Sequence, residues 1–287
     1  LGHCPRIIEA KKITVMFVET VHPTSLQKPA KIGYLPLNSE KNQAGKHVLC
    51  EKPMATTVEE CQRMMAEAES AKRKLMIAYR LHYEPMNLQV MQWCRDEKFG
   101  PVRSIASSNC QDVKAPNIRL SRDLGGGPLG DIGIYSLNAT RYITGEEPIR
   151  ATAIADAPND DPRFAEVPAN IGFTLEFPSG TIASCTCSFN GPEKRDFEVH
   201  CRDGVIAMDP AFSYRGLRLF TENTETRTQH KLAAINQFAA EMDHFALCIK
   251  NDTEPRTPGQ EGLLDMRAMV AINRSVELGR TVEIAVQ

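Results

Sequence analysis

The chain has 287 residues, with 34 lysines and arginines against 36 aspartates and glutamates, a formal net charge of −2, and 42% hydrophobic residues. This near-neutral charge disfavours a nucleic-acid partner held by a basic field. No apolar run approaches the roughly 20 residues that span a bilayer, and the first residues lack a signal-peptide core. The composition therefore predicts a cytoplasmic protein with neither a nucleic-acid nor a membrane partner.

Length and cysteine usage set two further bounds. At about 150 residues per domain, the chain is long enough for two domains. Its nine cysteines are an odd number and form no C-x-x-C pair, which favours reduced thiols over a disulfide framework. The histidines have no metal-ligand spacing, so we expect no metal site.

The first 44 residues give little periodicity. The segment ITVMFV can form a strand, but its surroundings contain three prolines and predict no fold. Because the chain begins with Leu1, we expect a fragment or a processed product.

From Gly45 to Gly100 the pattern alternates between strands and helices. A buried strand is predicted at 47–51, followed by a helix that Thr56 and Glu59 open as a capping box. LMIAYR predicts a second strand, and a helix from Pro85 to Gly100 follows it. This order predicts right-handed crossovers and a parallel sheet in a first domain, 1–103.

After Pro101 the pattern changes to alternating strands joined by hairpin turns, followed by helices near 234–250 and 260–278. We expect an open, mostly antiparallel sheet in a second α/β domain, 104–287. In the run Thr181–Phe189 both faces carry small side chains. One face can pack on helices and the other on a second subunit, which predicts a homodimer or homotetramer.

Two polar segments follow the predicted parallel strands. Glu51-Lys52-Pro53 leaves the first strand at its carboxyl end, where open α/β sheets bind ligands, and Tyr79-Arg80 leaves the second. A solvated loop lysine and a surface arginine in a capped turn are the alternatives.

A third segment, GGGPLGDIGIYS, opens a helix. Gly125, Gly126 and Gly127 permit close backbone approach, and Pro128 suits a helix start. Asp131 and Tyr135 are four residues apart and share one helix face. The alternative is a carboxylate that stabilises the helix dipole beside a core aromatic residue. Arg119 and Arg122, just before the glycines, can contact a substrate oxygen or form solvated ion pairs.

Together the three segments suit removal of a proton from an alcohol while a hydride leaves its carbon. A phenol accepts a proton poorly at neutral pH unless a nearby ammonium stabilises the phenolate, a role open to Lys52 beside Tyr135. Asp131 can bind a second hydroxyl or orient the lysine.

The segments GKHVLCEKPMATTVEECQRM, KLMIAYRLHYEPMN and GGGPLGDIGIYSLNATRYITGEEP resemble the glucose-fructose oxidoreductase and inositol dehydrogenase family (Gfo/Idh/MocA), and are closest to the glucose-fructose oxidoreductase branch. The resemblance continues through FNGPEKRDFEV, INQFAAEMDHF and RTPGQEGLLDMRAMVAI. It implies a Rossmann domain, bound NAD or NADP, and hydride transfer to or from a sugar or cyclitol carbon. It also implies catalytic roles for Lys52 and Tyr135 and a substrate-site role for Asp131. Glu51, Lys52, Pro53 and Arg80 are implied on the cofactor side.

The first 44 residues lack the G-x-G-x-x-G turn that opens this family and holds the pyrophosphate. The expected fold is therefore a partial Rossmann-type parallel sheet followed by the mostly antiparallel α/β domain. Two interpretations stay open, a sugar oxidoreductase and a non-catalytic oligomerising or sugar-binding module. The segment that selects NAD or NADP is not recognisable.

Overall fold

The computed structural model describes residues 15–18 and 46–285. These residues form two compact units whose segments alternate along the chain. Within the described residues, the first unit contains 15–18, 46–83, 123–125 and 236–266, and the second contains 84–122, 126–235 and 267–285. The sequence predicts a domain boundary between residues 103 and 104, and this boundary stays a prediction.

The first unit contains a three-stranded parallel sheet in the order β1-β2-β3, with β1 at Val15–Val18, β2 at His47–Cys50 and β3 at Leu75–Ile77. A strand within ITVMFV is thus present, while the rest of the first 45 residues lies outside the described residues. The strand predicted from LMIAYR ends early, at Ile77, because a 3₁₀ turn begins at Arg80.

Helix α1, Val58–Ser70, connects β2 and β3. Its N-cap is Thr57, whose hydroxyl accepts the Glu60 N–H at 3.1 Å, while the Glu60 carboxylate accepts bonds from the backbone and side chain of Thr56. The capping box predicted at Thr56 and Glu59 is therefore displaced by one residue. Two adjacent threonines and two adjacent glutamates made both registers compatible with the sequence.

Helix α4, Gln237–Asn251, completes the core of the first unit. Asn236 caps it by accepting the Ala239 N–H. Its Phe245 is buried in a cluster with Leu49, Met76, Ala78 and Tyr83, onto which Met242 and Ile249 also pack. The helix predicted near 234–250 is therefore present, and its Phe238 remains 37% exposed.

The second unit is built on a nine-stranded sheet in the order β11-β10-β9-β8-β4-β7-β6-β5-β12. Within this sheet, only β4 and β7 pair in parallel among the strands of the described residues, so the prediction of a mostly antiparallel sheet is confirmed. The strands are β4 Val102–Asp112, β5 Arg150–Asp156, β6 Asn170–Glu176, β7 Ile182–Ser188, β8 Asn190–Cys201, β9 Gly204–Met208, β10 Leu219–Glu222, β11 Arg227–His230 and β12 Val282–Glu283.

Helices α2, Pro85–Arg95, and α3, Ile134–Thr144, belong to the second unit, and α3 packs on β4 and β7. Pro85 occupies the start of α2 as predicted, but the helix ends at Arg95 rather than Gly100. Helix α5, Gly259–Leu278, contributes its first residues to the first unit and the remainder to the second.

The two faces of β7 differ as the sequence indicated. Ala183, Cys185 and Cys187 are buried, whereas Ile182 is 49% exposed and Ser184 and Thr186 are also exposed. The buried face carries the helices, and Ser184 and Thr186 of the opposite face are open to solvent in the single chain, whereas Ser188 at the strand end is buried.

Candidate active site

The Glu51-Lys52-Pro53 segment follows β2 without an intervening residue. The Glu51 carboxylate accepts the backbone N–H of Lys52 at 3.3 Å, and all three side chains are half-buried. Met54, which follows, is buried at 1% exposure and anchors the segment to the core. The segment therefore lies at the carboxyl end of a parallel strand, as the sequence predicted.

Arg80 begins the 3₁₀ turn that follows β3 and is buried, with 4% of its surface exposed. Its Nη1 donates a hydrogen bond to Oε1 of Gln237 on α4 at 2.6 Å, and its guanidinium carbon lies 5.9 Å from the ring centre of Phe238. Arg80 is therefore not the surface arginine that the sequence left open as an alternative.

Glu241, one turn further along α4, is the most unusual acid of the first unit. It is 2% exposed, and its Oε1 has no hydrogen-bond partner among the described residues. Burial, with a smaller contribution from the charge of Glu51, raises the pKa of Glu241 to about 8, although Arg80 acts in the opposite direction. Glu241 therefore holds a proton at neutral pH.

The glycine-rich segment of the second unit leads into a widened helical turn. Helical backbone begins at Pro128, as the sequence predicted, but the turn Leu129–Gly133 is π-helical before the chain continues into α3. Such turns concentrate at functional sites. Asp131 lies within the turn and Tyr135 in the first turn of α3, and both are partly exposed.

Two contacts fix this turn on the sheet. Asn109 of β4, 3% exposed, donates from its side-chain amide to the carbonyl of Ile132 at 2.9 Å. At Gly133 an added Cβ would lie 2.8 Å from Sγ of Cys187, so only glycine lets the turn approach β7 this closely. The side chains of Asp131 and Tyr135 are thereby presented from a rigid support.

Polar and aromatic partners surround the two residues. Nε of Arg119 donates to Oδ2 of Asp131 at 2.6 Å, and the Gln111 amide approaches the same oxygen at 3.4 Å. The ring of Tyr135 lies 6.0 Å from that of the buried Phe212, centre to centre. The aromatic ring thus has apolar support while part of the side chain is accessible.

The residues predicted for the site fall into two groups. Glu51, Lys52, Pro53 and Arg80 belong to the first unit, and Asp131 and Tyr135 to the second. The meeting of the Lys52 ammonium and the Tyr135 phenol in one cleft stays a prediction.

Sequence reasoning did not select Asn109, Gln237 or Glu241. Each lies on a regular strand or helix where a polar residue is ordinarily solvated, and only the tertiary fold buries it.

No group of three or more histidines, cysteines, aspartates or glutamates within 46–285 has the arrangement of a metal site. In the same part of the chain, every helix is too short or too polar to cross a membrane.

Comparisons with known proteins agree with both units. Residues 36–79 match the model of an oxidoreductase family with an NAD-binding Rossmann fold, and residues 87–207 match the GFO/IDH/MocA C-terminal domain. The D-xylose 1-dehydrogenase [NADP(+)] of Haloarcula marismortui is 30% identical over 261 residues, which are 88% of this chain and 71% of the relative. The chain belongs to the Gfo/Idh/MocA family of oxidoreductases.

Solved structures support the same assignment. The aldose-aldose oxidoreductase of Caulobacter crescentus, complexed with glycerol, superposes with a TM-score of 0.85 at 38% identity and covers 94% of this chain and 78% of its own. A 3-ketoreductase from Actinomadura kijaniata, in complex with NADP and TDP-benzene, has a TM-score of 0.75 at 26% identity, with coverages of 82% and 73%. The predicted family, α/β fold class and NAD(P)-dependent oxidoreductase class are confirmed.

The described residues fit a nicotinamide dinucleotide. Glu51 and Lys52 follow β2 directly, and Arg80 is the third residue after β3, so all three lie at the edge of a parallel sheet that receives such ligands. The cofactor, when bound, supplies the hydride donor or acceptor.

Proposed function

We propose that this chain transfers a hydride between NAD or NADP and a CH–OH carbon of a sugar or related polyol. The similarity to the aldose-aldose oxidoreductase, at 38% identity over 94% of the chain, carries this proposal. The relative named as a D-xylose 1-dehydrogenase [NADP(+)] supports the same substrate class.

In this proposal Lys52 and Tyr135 are the catalytic residues. During oxidation, Oη of Tyr135 accepts the proton of the substrate hydroxyl as the hydride leaves the carbon, and it returns the proton in the reverse direction. The ammonium of Lys52 stabilises both the phenolate and the substrate oxygen, on which negative charge develops.

Asp131 binds a second hydroxyl of the substrate and fixes which carbon is presented. Its position in the widened turn four residues before Tyr135 supports this role, because both side chains are carried by one continuous helical segment. Acid-base assistance contributes roughly 100- to 10,000-fold, and alignment of the reacting carbon contributes further.

On the cofactor side we propose contacts from Glu51, Lys52 and Pro53. Arg80 is an indirect member of this group, since its Nη1 is engaged with Gln237 and its side chain is buried. It places a positive charge near Glu241, whose pKa it lowers against the effect of burial.

The test is a comparison of catalysis with cofactor affinity. Tyr135→Phe and Lys52→Met are measured for turnover with a panel of aldoses, and NADPH affinity is followed by nicotinamide fluorescence. We expect Tyr135→Phe to reduce turnover by at least about 100-fold while the dissociation constant changes less than about threefold. Equal losses of turnover and of NADPH affinity would assign Tyr135 a structural role. Absence of NADPH binding up to millimolar concentration would instead favour a non-catalytic sugar-binding module.

We further propose a homodimer or homotetramer formed through the solvent-facing side of the large sheet. Ile154 is 77% exposed and Ile182 49% exposed, and the outward faces of their strands also carry the small polar residues Thr152, Ser184 and Thr186. Light scattering at micromolar concentration should give at least a dimer, and Ile154→Glu should shift the distribution to the monomer. A wild-type monomer would contradict this assembly.

A cytoplasmic location is also proposed. The eight cysteines that the structure describes are all free thiols, as a reducing compartment maintains them.

A further inference from the structure

Arg119 is placed beside Asp131 by a short and well-defined loop. It lies in the 3₁₀ turn Ile118–Leu120. Asn117 is the N-cap of this turn, and its side chain accepts the Arg119 N–H at 3.1 Å. The backbone at Arg119 is therefore fixed by a local cap as well as by its side-chain contact.

Two backbone hydrogen bonds from the glycine segment, Gly125–Gly127, hold this loop in place. The N–H of Gly126 donates to the carbonyl of Ser121, and the N–H of Gly127 donates to the carbonyl of Arg119, each at 2.9 Å. A Cβ at Gly126 would lie 2.5 Å from the Ser121 oxygen and 2.6 Å from the Arg119 oxygen. Glycine is thus required where the two backbones meet, and the segment that leads into Asp131 and Tyr135 also holds Arg119.

The side-chain contact leaves part of the guanidinium available. The bond to Asp131 uses Nε, and the two Nη groups of Arg119 make no hydrogen bond to any residue in the described part of the chain. The side chains of Arg119 and Asp131 are 33% and 25% exposed, so the pair is open on one side. The guanidinium is a rigid, planar group whose remaining donors keep a fixed relation to the Asp131 carboxylate.

A nearby arginine gives a useful contrast. Arg122, in the same loop, donates from Nε to the carbonyl oxygen of Glu166, while the Glu166 carboxylate accepts the Arg122 backbone N–H and the Ser121 hydroxyl. These groups are exposed, and they join the loop to a neighbouring segment. Arg122 has no contact with Asp131 among the hydrogen bonds of the described residues, so it is a matched control.

We propose that Arg119 is a substrate-binding and specificity-determining residue, whose Nη groups donate to the sugar oxygen adjacent to the hydroxyl held by Asp131. This inference rests on the proposed function. A carboxylate that accepts from one hydroxyl and a guanidinium that donates to its neighbour are complementary to a vicinal diol. Because the two side chains form a neutral pair, the site offers no net positive charge to a phosphorylated or acidic sugar and suits an uncharged one.

The experiment compares Arg119→Met, Arg119→Lys and the control Arg122→Met for kcat and KM with an uncharged aldose that the wild-type protein oxidises. Arg119→Met should raise KM by about 10- to 100-fold, the value of one or two charge-assisted hydrogen bonds, with kcat within about threefold. Arg119→Lys should restore part of the affinity, since it keeps the charge but not the planar fork. Arg122→Met should leave both constants unchanged.

A second measurement uses the substrate as the variable. The wild-type protein should discriminate against a monodeoxy analogue that lacks one hydroxyl of the diol, and Arg119→Met should lose that discrimination. A KM effect equal in Arg119→Met and Arg122→Met, or unchanged discrimination, overturns the proposal. If Arg119→Met does not fold, the kinetics of Arg119→Lys decide, because a KM equal to the wild-type value then excludes a role for the fork. Wild-type protein inactive on every aldose would refute the proposed function itself, which is a different outcome.

Discussion

The buried carboxyl of Glu241 makes stability depend on pH in a direction opposite to that of an ordinary ion-paired acid. Its pKa in the folded protein is about 8, raised from 4.5 mainly by burial. Below pH 4.5 the carboxyl is protonated in both states and has no effect. Between pH 4.5 and 8 the folded protein binds a proton that the unfolded chain has released, so the free energy of unfolding falls as pH rises.

The magnitude follows from this shift. Each pKa unit corresponds to about 1.4 kcal/mol, so roughly 3 kcal/mol of stability is lost between pH 4.5 and pH 7. Glu241→Gln replaces the protonated acid by a neutral amide of similar shape and removes this dependence. We expect the variant to gain about 3 kcal/mol relative to wild type as pH rises from 5 to 8.

The assay is urea unfolding, followed by far-ultraviolet circular dichroism at half-unit steps from pH 5 to pH 8. Asp243→Asn is the control, because Asp243 is exposed on the same helix and its replacement should leave the wild-type pH dependence intact. Hydrogen exchange in Gln237–Asn251 gives a local measure of the same free energy. Parallel stability curves for wild type and Glu241→Gln over this range would refute the reasoning.

Two further substitutions test how the second unit is held together. Gly126→Ala would force a Cβ to 2.5 Å from the Ser121 carbonyl oxygen, and we expect a loss of about 1–3 kcal/mol in thermal or urea unfolding. A stability equal to wild type would show that the loop yields freely. Ser275, fully buried, accepts the Ala153 N–H at 2.9 Å and donates to the Arg280 carbonyl at 2.7 Å. Ser275→Ala leaves both groups unpaired and should cost about 1–3 kcal/mol, whereas an unchanged melting temperature would indicate that water replaces the hydroxyl.

The sequence was most informative where structure depends on local pattern. The strand before Glu51, the helix that follows it and the alternation along β7 all appear where their periodicity predicted them. Each pattern reflects which face is buried, and burial is set by the period of the side chains along the element.

Element ends were less predictable, because they depend on partners distant in sequence. The apolar run that includes Ala78 and Tyr79 continues beyond Ile77, but pairing in the sheet stops there, and the chain turns so that Arg80 contacts Gln237. Nothing within the run itself marks the end of the pairing.

The candidate site residues show the same contrast between features set by local pattern and features set by distant partners. Lys52, Asp131 and Tyr135 could be proposed from the sequence because each lies at the end of an element, where functional side chains concentrate. Glu241 was not, because a glutamate in the middle of an amphipathic helix is normally solvated. The pairing of Arg119 with Asp131 depends on two backbone bonds from glycines, which the sequence alone indicates only as flexibility.

The central claim is that this chain moves a hydride directly between a sugar carbon and a nicotinamide. The decisive measurement uses D-xylose and D-glucose deuterated at every carbon, incubated with the purified protein and NADP⁺ or NAD⁺, with mass spectrometry of the reduced cofactor. The account predicts one deuterium in the reduced nicotinamide, and about 100-fold slower incorporation with Tyr135→Phe. Reduced cofactor without deuterium, or no reduction at all when the cofactor demonstrably binds, would contradict it.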